Sequence, residues 1–426
     1  MAHMKAANPT ARDLRRINRQ TVFRHLYRDG PMSRLELGQL SGLSAGTIAN
    51  VVGELLADEL VLEAGFEASE GGRPRTILTL NMEYGYFLGG EIGETEMVVE
   101  LFDITLHKLQ STKYLLTPED NDPARIIERF AQLVTQLLAE TGMPQEKILG
   151  LGVGVPGIVE QAAQETVYAP AWDWQPVRFK TLLGKQLQIP LSIDNGAKAM
   201  ALAELHREPD MRDETIVALN VGTGAGAGII YEGKLFRGGN NGAGEWGHTT
   251  MVLDGENCRC GRQGCLEAYI GAPGILRRLR ELQPIEAQTG NQDQILLIRD
   301  LCLAARQGES IPQQVVMDTL HYLGAGMANL VNLINPQRMI IGGWIGLLLG
   351  EHFLPELLQI VERYSLKQSF DSVTIQVSQM GEDAVSLGAA RLVLEAFLSH
   401  VGNPNNPVAT LRQGVRPGIS RSSAQV

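Results

Sequence analysis

Between His248 and Cys265 the chain reads His-Thr-Thr-Met-Val-Leu-Asp-Gly-Glu-Asn-Cys-Arg-Cys-Gly-Arg-Gln-Gly-Cys, which gathers one imidazole and three of the four cysteines into eighteen residues. Three thiolates and an imidazole suit a closed tetrahedral zinc site. Sulfur ligands select Zn2+, and four protein ligands leave no open position for an activated water. The expected metal is therefore a structural Zn2+ held by His248, Cys258, Cys260 and Cys265. Gly255, Gly261 and Gly264 let so short a loop bring its cysteines to one point, which weighs against a set of buried free thiols. A disulfide fits worse: Cys258 and Cys260 are too close for an easy bridge, and no secretory context is visible. Cys302 is left as an ordinary buried thiol.

The elements that must carry this loop belong to a chain of 426 residues, long enough for two or three domains. Hydrophobic residues make up 44% and charged ones 20%, as in soluble globular proteins, and no run of eighteen apolar residues occurs. The most apolar stretch, Met339 to Gly350, is broken by Gly342, Gly343 and Gly346 and bounded by Arg338 and Glu351, so it reads as a buried strand and loop. No signal peptide is visible, and Met1-Ala2-His3-Met4 reads as a cloning remnant. A cytoplasmic protein with no membrane partner is expected. The net charge of −11 is unevenly spread: residues 1–80 hold ten basic and nine acidic residues, the remainder 27 and 39. A basic amino-terminal face on an acidic body fits a DNA-binding module joined to a larger domain, although a solvated basic helix is also common.

Within residues 1–80, Leu14, Ile17, Val22, Phe23 and Leu26 recur at helical spacing with arginines opposite them, predicting a first helix from Arg12 to Tyr27. Ser33-Arg34-Leu35-Glu36 is a capping box for a short second helix that ends near Ser41-Gly42. Ser44 caps a third helix, which turns Ile48, Val51, Val52, Leu55 and Leu56 inward and leaves Ala45, Thr47 and Asn50 available. Two β segments follow, Leu60–Ala64 and Thr76–Leu80, joined through Gly71-Gly72-Arg73-Pro74-Arg75. Helix, turn, helix and wing in this order predict a winged helix-turn-helix. Its third helix would take the major groove through Ser44, Ala45, Thr47 and Asn50, with Arg73 and Arg75 in a narrow minor groove. A protein-interaction module is the weaker reading.

Beyond Asn81 strands alternate with helices and glycines multiply. Phe87–Asp103 holds two strands about a turn at Gly93, and Ile148–Val159 is an apolar strand ending in Gly154-Val155-Pro156-Gly157. Asn220-Val221-Gly222-Thr223-Gly224-Ala225-Gly226-Ala227-Gly228 lies inside Thr215–Tyr231. Gly244-Glu245-Trp246-Gly247-His248 precedes the cysteines, with Glu267 after them; Leu235-Phe236-Arg237-Gly238-Gly239-Asn240 and Ile341-Gly342-Gly343 complete the set. Together these segments resemble the ROK family of repressors, uncharacterised reading frames and sugar kinases, over nearly the whole chain. The winged module ahead of them resembles the repressor branch. The resemblance implies an α/β, actin-like (ribonuclease H-like), two-lobed sugar-kinase-type body with a sugar in its cleft. The divisions expected are 1–80 for the DNA-binding domain, 81–195 for the first lobe, completed by a carboxyl-terminal helix at about 384–400, 196–383 for the second lobe with the zinc loop and sugar site, and 401–426 for a flexible tail.

The resemblance also implies the site. Gly157, Asn195, Glu245, His248 and Glu267 stand where the family holds its sugar, and His248 would give one ring nitrogen to zinc and the other to the ligand. Trp172 and Trp174, flanking Asp173, would either cover that ligand or pack in the core. The kinase side is degraded. Where family kinases carry Asp-x-Gly-Gly-Thr-Lys, this chain has Glu91-Ile92-Gly93-Glu94-Thr95-Glu96. At ~4 Å and an effective dielectric of about 20, like charges repel by roughly 4 kcal/mol, so Glu94 or Glu96 pointing inward would disfavour a triphosphate. Where the kinases carry Glu-Asn-Asp-Ala, this chain reads Asp194-Asn195-Gly196-Ala197, with Ala199, Ala201, Leu202 and Glu204 fixing the register. Gly196 then stands at the catalytic base, and only a one-residue slip would give that role to Asp194. Trp344 replaces a small glycine of the adenosine turn. No catalytic residue is therefore expected. The function implied is a sugar-responsive transcriptional regulator, a repressor acting as homodimer or homotetramer, with operator DNA and an unphosphorylated sugar as partners. The alternatives are an active ATP-dependent sugar kinase with a DNA module, and a DNA-binding protein that senses nothing.

Overall fold

In the computed structural model, which describes residues 10–67, 74–160, 166–283 and 291–401, Thr10 and Asp13 exchange capping hydrogen bonds and start helix α1 (Ala11–Asp29). After β1 (Met32–Ser33), Ser33 and Glu36 form a second capping box for α2 (Arg34–Ser41), which Gly42 ends in the left-handed conformation with its N–H on the Gly38 carbonyl. Ser44 caps α3 (Ala45–Ala57), and β2 (Val61–Glu67) and β3 (Arg75–Leu80) form the wing. These three strands pair in the order β1-β3-β2. Val22, Phe23 and Leu26 meet Leu37, Ile48, Val51, Val52 and Leu55 in the core. Leu14 and Ile17, expected on the buried face of α1, are 48% and 44% exposed. Helical spacing was right, but the buried stripe is narrow and begins only at Arg19.

The first lobe is a five-stranded sheet. A meander of β4 (Tyr86–Ile92), β5 (Glu96–Phe102) and β6 (Lys108–Leu115) precedes α4 (Pro123–Thr141) and β7 (Ile148–Val155). A small antiparallel sheet of β8 (Ile158–Glu160), β9 (Thr166–Ala169) and β10 (Trp174–Val177) leads to α5 (Phe179–Leu187) and β11 (Leu191–Asn195). The main order is β11-β7-β4-β5-β6, with β7 parallel to both its neighbours and every residue of it buried.

The second lobe repeats the plan. After α6 (Gly196–Arg207), β12 (Ile216–Val221), β13 (Ala225–Tyr231) and β14 (Lys234–Leu235) form a meander. Then come α7 (Glu267–Ile270), α8 (Ala272–Leu282), α9 (Asn291–Arg306), α10 (Ser310–Ile334), β15 (Arg338–Gly342), α11 (Trp344–Tyr364), α12 (Lys367–Ser372) and β16 (Thr374–Val377). The order β14-β13-β12-β15-β16 matches the first lobe strand for strand, so the body is an actin-like pair of lobes. The apolar stretch from Met339 is the strand expected, but the loop expected after it is the start of α11. That helix has the length and apolarity of a membrane span, yet Ile345, Leu349, Phe353, Leu357 and Val361 are buried in the second-lobe core, and it kinks at Phe353 ahead of Pro355.

Helix α13 (Ala384–His400) ties everything together. A side chain at Gly152 would lie 1.7 Å from the Ala389 carbonyl oxygen, and one at Gly388 would lie 1.7 Å from that of Ala199, so α13 is seated between β7 and α6 at backbone distance. At its far end Phe397 packs against Phe23 of the DNA module, Tyr84 of the connection and Phe87 of β4, with ring centroids 6.1, 6.1 and 5.8 Å apart. Arg24 pairs with Glu395 at 3.0 Å beside them. The expected tail from residue 402 on lies outside the described residues.

Candidate metal, sugar and DNA sites

The motif Gly244-Glu245-Trp246-Gly247-His248 works as a plug. Trp246 is buried and donates its Nε1–H to the Gly326 carbonyl at 3.0 Å, while Gly244, at φ +92°, presses so close to β13 that a side chain would lie 1.9 Å from the Ala227 oxygen. Glu245 and His248 are thereby held on either side of a fixed indole. The loop that follows folds back on itself through Cys258 N–H to the Arg262 carbonyl at 2.7 Å and Gly264, at φ +73°.

The ligand atoms of His248, Cys258, Cys260 and Cys265 all lie within 4.8 Å of one another. His248 Nδ1 is 3.7 Å from Cys258 Sγ, and the Sγ atoms of Cys260 and Cys265 are 3.7 Å apart. Zn–S bonds of about 2.3 Å at tetrahedral angles place sulfurs roughly 3.8 Å apart, so the spacing is that of ligands to one ion and far too long for a disulfide. The four residues are placed to bind a metal ion, and all four cysteines are free thiols. Burial pushes the thiols of Cys258 and Cys265 up, so a cation must displace their protons. Cys302 is buried away from this group, its thiol pushed up to about 11.

The carboxylates stand beside the metal ligands. His248 turns Nε2 towards Glu245 Oε2 at 4.0 Å, and burial raises the Glu245 pKa against the pull of His248 and Lys198. Glu267, first residue of α7, accepts the Ala225 N–H at 2.9 Å through Oε2 and lies 3.8 Å from Cys258 Sγ through Oε1. Asn195 and Gly157 are hydrogen-bonded to each other: Asn195 donates Nδ2–H to the Gly157 carbonyl at 2.8 Å, while its Oδ1 caps α6 by accepting the Ala197 N–H at 2.9 Å. Lys198, Arg237 and Asn241 were given no role by sequence reading. Lys198, 1% exposed, donates Nζ–H to the Asn241 carbonyl, and Asp194, fully buried, accepts from Arg237 and from Asn241. Arg237 and Asn241 lay in and next to a segment noted only for its likeness to the family. Trp172 and Trp174 pack edge to face at 4.9 Å in the first-lobe core.

On the nucleotide side, Gly196 is the first residue of α6, and a side chain there would meet nothing nearer than Val385 at 3.7 Å. A β-carbon would fit there, but the position carries no carboxylate. Asp194, the alternative base, is committed to Arg237. The Gly222–Gly224 turn between β12 and β13 is filled from within: the Trp344 ring lies 3.0 Å from where a Gly222 side chain would begin, and Glu267 lies 2.9 Å from the same point on Gly224. The expectation for Glu94 and Glu96 needs correction. Glu94 points into the cleft but is neutralised by Arg259, at 2.5 and 3.2 Å, and Glu96 turns aside to Lys113 at 3.2 Å. The turn thus presents a neutralised ion pair, not a bare negative field. Glu91 behind them, desolvated and facing Glu96, Glu100 and Glu382, has its carboxyl pushed up to about 8.

In the DNA module, Ser44 Oγ accepts the Thr47 N–H at 3.2 Å and meets Thr47 Oγ1 at 2.9 Å. Ser44, Ala45 and Asn50 are exposed, Thr47 is half-buried, and Arg75 is exposed at the start of β3. Arg73 lies outside the described residues.

The family model described as the ROK family matches residues 87–396, downstream of the winged module. A xylose repressor of Caldicellulosiruptor bescii is 31% identical over 391 residues, covering 91% of this chain and 97% of that protein. The DNA-binding transcriptional dual regulator NagC of Escherichia coli is 25% identical over 392 residues, covering 91% and 95%. Among solved structures, a ROK family transcriptional regulator described as a homolog of the E. coli MLC protein matches with a TM-score of 0.76 at 25% identity, covering 91% of this chain and 98% of its own. A ROK family glucokinase from Streptomyces griseus, in complex with glucose and AMPPNP, matches with a TM-score of 0.59 at 25% identity over 72% of this chain and 99% of its own. A winged helix carried on a two-lobed sugar-kinase body defines a kinase-fold transcriptional regulator. The chain belongs to the ROK family, in its repressor branch.

Proposed function

We propose that this sugar-responsive repressor reads an unphosphorylated sugar through Glu245, His248, Glu267, Asn195 and Gly157, in a cleft that no longer transfers phosphate. The observation that carries this reading is the contrast on the two sides of Glu267. Towards His248, two carboxylates and an imidazole stand on metal ligands, a donor and acceptor set suited to a polyol ring. Towards the Gly222–Gly224 turn, Trp344, Arg259 and Glu267 itself fill the space, and Gly196 offers no base. The metal is a structural Zn2+ that fixes the tautomer and aim of His248. In the DNA module, Ser44, Ala45, Thr47 and Asn50 face the major groove and Arg73 and Arg75 the minor groove of a palindromic operator, bound in the cytoplasm by a homodimer or homotetramer.

An aldose is the effector class, and the relative named for xylose puts D-xylose first among the probes, followed by D-glucose and N-acetylglucosamine. Calorimetry against these sugars, operator anisotropy with and without each, and an ADP-release assay test the reading together. A sugar that binds, shifts operator affinity and releases no ADP supports it. Robust sugar-dependent ATP turnover would overturn it in favour of an ATP-dependent kinase.

A further inference from the structure

Arg259 sits between two metal ligands, Cys258 and Cys260, in the second lobe, and Glu94 sits in the β4–β5 turn of the first lobe, 165 residues away in sequence. Their fork spans the cleft, with Arg259 Nη1 and Nη2 at 2.5 and 3.2 Å from the two Glu94 oxygens. The second-lobe end is anchored twice more: Nη2 donates to the Thr223 carbonyl at 3.1 Å and lies 3.6 Å from Glu267 Oε1. The guanidinium is thus shared between a carboxylate of the opposite lobe and a carboxylate assigned to the sugar. Among the described residues, other ties between the lobes at this cleft, Arg237 and Asn241 to Asp194 and Asn241 to the Val159 carbonyl, lie beside the β11–α6 crossover.

We propose that Glu94 and Arg259 form an internal latch that transmits sugar binding to lobe closure, Arg259 acting as the positioning residue for Glu267. This rests on the sugar reading given above. A sugar hydroxyl that donates to Glu267 Oε1 satisfies that oxygen and leaves the guanidinium to Glu94, so the fork across the cleft tightens as the sugar binds. Without Glu94, Arg259 relaxes onto Glu267 and competes with the sugar for the same oxygen. In a kinase the groups at these turns grip a nucleotide that comes and goes. Here the tie is part of the chain, so closure answers to the sugar alone.

The test uses the full chain, Glu94→Gln and Arg259→Gln, with D-xylose, D-glucose and N-acetylglucosamine as probes and zinc content measured for each protein. In Glu94→Gln, zinc content stays as in the wild type, the dissociation constant of the sugar rises about 5- to 30-fold, and the ratio of operator affinities without and with sugar moves towards one. The double variant is no worse than Glu94→Gln, because the two side chains act as a unit. A wild type that binds a sugar, alongside a Glu94→Gln protein with the same sugar affinity and the same operator ratio, overturns the latch and leaves the sugar reading standing. A wild type that binds none of the sugars overturns both.

Discussion

His248 has Nδ1 among the cysteines and Nε2 towards Glu245, so damage to the metal site is expected to reach the residues proposed to bind sugar. Cys260→Ser is expected to lower the metal bound from one per chain towards none and to weaken sugar binding as well, measured by elemental analysis and calorimetry on the same preparation. Zinc lost with sugar affinity intact would separate the two sites. Glu267→Ala removes the acceptor of the Ala225 N–H, and should weaken sugar binding by ~1–3 kcal/mol through the unpaired group it leaves. Glu91 gives a pH signature. Its folded pKa of about 8 lies above the ordinary 4.5, so its protonated form favours folding; that contribution is complete below about pH 4.5 and is lost as pH rises through 8. Glu91→Gln abolishes the loss, and urea titrations should show it more stable than the wild type at pH 9, on the order of 1–3 kcal/mol, with the gap closing towards pH 5. A gap independent of pH rules this out.

At the scale of elements, what was legible in the sequence was local. Ser33 with Glu36, Gly42 and Ser44 mark the helix ends of the DNA module within a dozen residues of one another, and the metal ligands fall within a single loop. What was not legible depends on partners far along the chain. Nothing near Glu94 announces Arg259, and Asp194 gives no sign of Arg237 or Asn241. The glycines after Met339 looked like loop, but Gly346 and Gly350 belong to α11 and let it lie against Ile341 and Val377. The exposed Arg75 leads to a test of the wing: Arg75→Ala should weaken operator binding and reduce the slope of log K against log salt by about 0.9, the share of one released counterion. An unchanged slope would remove that arginine from the interface. For α13, Gly388→Ala forces a methyl into the Ala199 carbonyl and should cost about 1–3 kcal/mol or more in chemical denaturation.

At the scale of the whole molecule, α13 meets the first-lobe sheet, the crossover helix α6 and the DNA module. Phe397 is where these meetings converge, and Phe397→Ala is expected to destabilise the chain by about 3–5 kcal/mol and to loosen the winged module first, as read by hydrogen exchange at α1. The same junction bears on how the protein is made. Arg24 must wait for Glu395, 371 residues later, and Phe23 for Phe397. At about 5–20 residues per second, a ribosome exposes α1 for roughly 20 seconds or more before its covering helix exists. A nascent or prematurely ended chain therefore carries a winged module whose Phe23 still lacks its Phe397 partner.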